Sequence, residues 1–122
     1  MSKLMSSRSV LAAAFAALMS LTAAQAQEKV LNLYSARHYS TDEALYSNFT
    51  KTTGIKINRL EGGEDQLLQR IKSEGANSPA DVFLTVDAGR LWIADQEGVF
   101  APIQSAVLNE RIPASYRLAS GT

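Results

Sequence analysis

His38 is the chain's single histidine, and Tyr39, one of its four tyrosines, follows it directly. Neutral imidazole is a good metal ligand, and a phenol becomes an anionic oxygen ligand once a nearby cation drives off its proton. The run Tyr34-Ser35-Ala36-Arg37-His38-Tyr39 leaves a short apolar segment and opens into the helical pattern that begins at Ser40-Thr41-Asp42-Glu43. It therefore sits at a strand-to-helix turn, where open α/β proteins bind ligands. A binding site begins here. On spacing alone, a solitary histidine in a turn is more often a solvated side chain than a ligand.

Other chemistries are narrowed by composition. The chain has no cysteine, which removes disulfides, thiolate zinc sites and cysteine nucleophiles; a metal must be held by oxygen and imidazole. Twelve basic residues against twelve acidic ones give no field that selects nucleic acid or an anionic membrane. One histidine with scattered carboxylates offers no acid–base or nucleophile constellation, so an enzyme is not expected. Gly62-Gly63 lacks a following Lys-Ser or Lys-Thr at nucleotide-binding spacing and reads as a tight turn. Asn48-Phe49-Thr50 matches a glycosylation sequon, but it lies inside a predicted helix and is read as incidental.

The elements that must position the turn follow from periodicity. Residues 1–26 read as a signal peptide: Lys3 and Arg8 form a basic start, Val10 to Leu21 is apolar, and Ala24-Gln25-Ala26 is a cleavage signature. The apolar run is shorter than the roughly 20 residues that span a bilayer, so residues 27–122 are expected as an exported, soluble domain. Lys29 to Tyr34 is a strand, and Ser40 with Glu43 has capping-box spacing before a helix whose packed face is Ala44, Leu45 and Phe49. Gly54 ends that helix, and Ile55 to Leu60 alternates as a half-buried strand. A second helix, from about Glu64 to Ser73, carries Leu67, Leu68 and Ile71 on one face.

After the turn Asn77-Ser78-Pro79-Ala80, Asp81 to Val86 is almost continuously apolar, which predicts the central strand, covered on both faces. A third helix runs from Asp87 through Gln96 around Leu91, Trp92 and Ile93, with Asp87 as its N-cap. Alternating strands and helices predict a parallel sheet. There is no internal repeat. Tyr34 is expected to be a packed aromatic, Tyr46 a surface or filler position, and Arg37 by default an exposed arginine, with a hold on a synergistic anion or on a carboxylate in a lobe interface as the alternatives.

Three separated runs, Tyr34 to Asp42, Phe49 to Lys56 and Ser78 to Gly89, resemble the periplasmic ferric-iron-binding proteins of ABC importers, within a resemblance extending from about Lys29 to Tyr116. The resemblance implies an α/β fold: a periplasmic binding protein type II-like lobe with a mainly parallel sheet flanked by helices. It also implies Fe3+ as the transported ligand, bound by a monomer in the periplasm with a synergistic anion and delivered to an inner-membrane ABC permease. His38 and Tyr39 match the first-lobe ligands of the family's tyrosine-rich branch. Some members carry a glutamate ligand where Val86 stands here; valine cannot ligate a metal, and Asp87 beside it would point to the opposite face of a strand.

The family's second lobe, with its further tyrosine ligands, has no counterpart in this sequence. The resemblance fades after Tyr116, which leads to the expectation of a partial N-terminal lobe, truncated by a gene break or a frameshift near Leu118. Two ligands would leave most of an octahedral shell to water, and apolar positions Val82, Leu84 and Val86 would lack part of their cover. The alternatives are a binding protein of the same fold for another solute, such as an anion, polyamine or sugar, or a nonfunctional remnant.

Overall fold

The central strand of the sheet is the first one. A computed structural model describes residues 28–118 and Gly121, so the signal-peptide expectation for residues 1–26 lies outside the described residues. Strand β1 (Val30–Ser35) pairs in parallel with β2 (Lys56–Glu61) along its whole length and with β3 (Val82–Leu84) at its end, giving the order β2-β1-β3. The apolar run Asp81 to Val86 was expected in the centre, but only three of its residues pair, and they pair on one side. Backbone hydrogen bonding accounts for the short strand. At its start the Asp81 N–H donates to the Asn32 carbonyl and its carboxylate accepts from the Asn32 N–H; past its end the Val86 N–H turns to the Glu64 carboxylate. Val82 and Val86 are consequently 40% and 39% exposed, and Leu84 is half-buried.

Helix α1 (Asp42–Thr53) buries no residue fully. Its packed positions are Tyr46 and Phe49, one helical turn apart, while Leu45 is 64% exposed, contrary to the face expected from the sequence. The expected capping box is also absent: Thr41 is the N-cap and makes no side-chain cap, and the Glu43 carboxylate bonds Arg59 instead. Gly54 closes the helix in the left-handed conformation, φ 70°, where a Cβ would be strained.

Helix α2 (Glu64–Glu74) supplies the cover that α1 does not. Leu67 and Leu68 are buried and Ile71 half-buried, as the spacing predicted. The core joins Tyr34 and Ala36 of the β1 end to Leu67, with Leu60, Ile71, Ala80 and Phe83 around them. Burying a leucine of this kind contributes about 1.5–3 kcal/mol, so the two core leucines are a large share of a small domain's stability. The Tyr34 hydroxyl donates to both Glu74 oxygens at 3.0 and 3.1 Å, and Glu74 also accepts from Arg70 and Ser78.

Helix α3 (Ala88–Gln96) begins as expected at Asp87, whose carboxylate accepts from the Arg90 N–H at 2.9 Å. Its packed residues are Leu91 and Ala94, three apart; Trp92 and Ile93 face outward. Phe83 stacks on Phe100 just beyond it. A short helix α4 (Ala106–Arg111), capped by Ser105, and a 3-10 turn at Ala114–Tyr116 follow; neither was foreseen. No described helix is long and apolar enough to cross a membrane.

Candidate metal centre

The carboxyl ends of β1 and β3 are adjacent, and β1 feeds a connection to β2 on its other side. That is the topological switch at which open parallel sheets form a ligand crevice. The segment at this point, Ala36 to Thr41, is pinned at both ends. The Ala36 N–H donates to the Leu84 carbonyl at 3.0 Å, extending the β1–β3 ladder by one residue. The fully buried Ser35 hydroxyl accepts from the Arg37 N–H at 3.1 Å and donates to the Arg37 carbonyl at 2.9 Å. At the other end, the Asp42 N–H donates to the Tyr39 carbonyl at 3.0 Å.

Between these anchors His38 and Tyr39 stand side by side in solvent. Tyr39 is 53% exposed, and its ring centroid lies 6.5 Å from that of His38 with the planes 33° apart. Among the described residues there is no group of three or more His, Cys, Asp or Glu side chains that could hold a metal ion. The site is therefore an imidazole and a phenol on one anchored loop. This chemistry fits a hard trivalent ion, which favours anionic oxygen and accepts nitrogen as an additional donor.

Arg37 is half-buried and paired, not the exposed arginine expected by default. Its Nε and Nη2 fork onto the Asp42 carboxylate at 2.9 and 3.1 Å, and its guanidinium carbon lies 4.9 Å from the centroid of the Tyr39 ring. The hydrogen bond from Arg37 holds the Asp42 carboxyl below its ordinary range, and the same bond raises Arg37. Asp42 is not legible from the sequence as its partner, because a five-residue spacing that crosses from loop to helix belongs to no helical or strand period.

At the facing loop, Val86 offers a backbone N–H to Glu64 and no ligating side chain. The Asp87 carboxylate is committed to the α3 cap. Glu64 and Asp65 both pair with Arg90, which offsets one of the two negative charges at the start of α2.

No family model matches the chain. It is 56% identical over 95 residues to iron uptake protein A1 of Synechocystis sp. (strain ATCC 27184 / PCC 6803 / Kazusa), a match covering 78% of this chain and 26% of the relative. It is 36% identical over 99 residues to an Fe(3+)-binding periplasmic protein of Serratia marcescens, covering 81% of this chain and 29% of that one. Its homologues are iron uptake and ferric-iron-binding proteins. Their solved structures agree: the FutA protein of Trichodesmium in complex with iron and citrate superposes with a TM-score of 0.71 at 61% identity, covering 75% of this chain and 29% of that one. The ferric binding protein of Campylobacter jejuni gives 0.72 at 42% identity over the same shares. The α/β fold with its parallel sheet is thus the one found in the matching part of these ferric-binding structures. The chain spans little more than a quarter of the length of the relatives it matches.

Proposed function

We propose that this chain furnishes one wall of a periplasmic ferric-iron site, with His38 and Tyr39 as its two ligands, in a system that hands the ion to an ABC permease. The observation that carries the proposal is the placement of the only histidine and an exposed tyrosine together on an anchored loop at the end of the central strand, in a homologue of ferric-binding proteins. The role is capture and release of an ion, with residues 1–26 directing export and residues 27–122 forming part of an N-terminal lobe.

The chemistry follows from charge. A free phenol loses its proton only near pH 10, roughly, so phenolate becomes available at neutral pH through the ion itself. Imidazole from His38 adds a neutral donor. Two donors leave several coordination positions to water or to an added anion. Citrate is one chemically suited anion, as the iron- and citrate-bound relative illustrates for its own site.

The test is a titration of the purified chain, from Gln27, with ferric citrate, watching for the visible phenolate-to-iron charge-transfer band. The expected result is a band that Tyr39→Phe abolishes and His38→Ala weakens. A folded chain without a band would sink the proposal.

A further inference from the structure

We infer that Arg37 is a positioning residue for the Tyr39 phenol: it holds the ring in place before iron arrives and keeps a positive charge over the ring whose oxygen iron takes. The inference rests on the ferric-site reading above and adds a residue that does not itself touch the ion.

Arg37 is fixed along its whole length. Its N–H and carbonyl are both bonded by the buried Ser35 hydroxyl, and its guanidinium is forked onto Asp42 in the first turn of α1. A planar cation held this way offers a flat, immobile face, and the Tyr39 ring lies against it within the roughly 6 Å over which cation–π attraction operates. More than half of the tyrosine is exposed, so without this contact the ring would have to be ordered when the ion binds. The same stacking recurs at Arg70 over Tyr34 and Arg59 over Tyr46, but those tyrosines are already held by burial or partial burial. At Tyr39 the arginine has an ordering role that packing does not duplicate.

Two consequences separate this role from a merely structural one. A cation beside a phenolate lowers the energy of its electrons, so charge transfer from phenolate to iron requires more energy; removing the cation moves the band to longer wavelength. Lysine retains the charge but has neither the plane nor the fork, so it restores only part of the effect.

The experiment is the ferric citrate titration repeated on Arg37→Gln, Arg37→Lys and Asp42→Asn, with circular dichroism confirming the fold of each. Arg37→Gln is expected to bind about three-fold more weakly and to show a red-shifted band. Arg37→Lys should fall between it and the parent, and Asp42→Asn, which frees the guanidinium but also removes the negative charge beside it, should weaken binding by a comparable factor and is read by affinity alone. A folded Arg37→Gln variant with the parent's band position and affinity would overturn the inference while leaving the iron site intact. Should that variant not fold, a folded Asp42→Asn variant with the parent's affinity would overturn it equally. A parent chain with no band at all overturns both readings.

Discussion

Tyr34 and Tyr39 are five residues apart and are built from the same three parts: a tyrosine ring, an arginine stacked on it, and a carboxylate that holds the arginine. At Tyr34 the parts are Arg70 and Glu74; at Tyr39 they are Arg37 and Asp42. The wiring differs. Tyr34 is 4% exposed and its hydroxyl donates directly to Glu74, so its phenol is committed to the fold. Tyr39 lies past the strand end, with its ring more than half in solvent and its arginine tied to a different group. The same residue types make a structural clamp where the strand is covered by α2 and a candidate ligand where the chain leaves the sheet.

Truncation to alanine should break the two sites to very different extents. Tyr34→Ala removes a buried aromatic from the core around Leu67 and is expected to cost about 3 kcal/mol or more in urea unfolding. Tyr39→Ala, on the surface, should stay within about 0.5 kcal/mol of the parent. Equal losses would mean that the exposed loop is part of the core after all.

Removing only the hydroxyl sharpens the contrast. Tyr34→Phe keeps the ring and loses the donor to Glu74, an expected loss of about 1 kcal/mol with no effect on the iron band. Tyr39→Phe should leave the unfolding midpoint unmoved and abolish the band. A change of comparable size comes from Asp87→Ala, which removes the α3 cap at about 1 kcal/mol and, if Asp87 is a cap and not a ligand, spares the iron signal.

The legibility of these features in the sequence depended on how local their causes were. The α2 face, the Asp87 cap and the strand leading to His38 are set within a few residues, and the structure has them where spacing predicted. Strand order is not local: the apolarity of Asp81 to Val86 marked it as central, yet pairing partners and the early diversion of the Val86 N–H to Glu64 leave it beside β1 and short. Helical spacing with Ala44 and Phe49 places Leu45 on the packed face of α1, whereas Tyr46 lies against the Arg59 guanidinium of β2 and Leu45 is exposed. Glu43 was read as half of a capping box, but Arg59 offers it an ion pair across the sheet edge. The Arg37–Asp42 fork escaped notice for the same reason: the loop that joins them has no period.

Acid should also separate the two clamps, with the smallest effect of the series. Glu74 is held below its unperturbed value of 4.5 by the hydrogen bond from Ser78 first, then by those from Arg70 and Tyr34. A carboxyl lowered on folding contributes stability that is fully present above its unfolded value and is lost as the pH falls through the folded one. The thermal midpoint should therefore begin to drop just below pH 4.5, and Glu74→Gln, though less stable at neutral pH, should show a flatter acid limb. Asp42 is lowered in the same sense by Arg37, from an unperturbed 3.8, so its share is lost at lower pH and Asp42→Asn should flatten only the most acidic part of the curve. Melts of both variants between pH 6 and pH 2.5, roughly, would decide it. If Asp42→Asn flattened the curve as much and as early as Glu74→Gln, the loop clamp would be as deeply built into the fold as the core clamp, and the division between Tyr34 and Tyr39 would not hold.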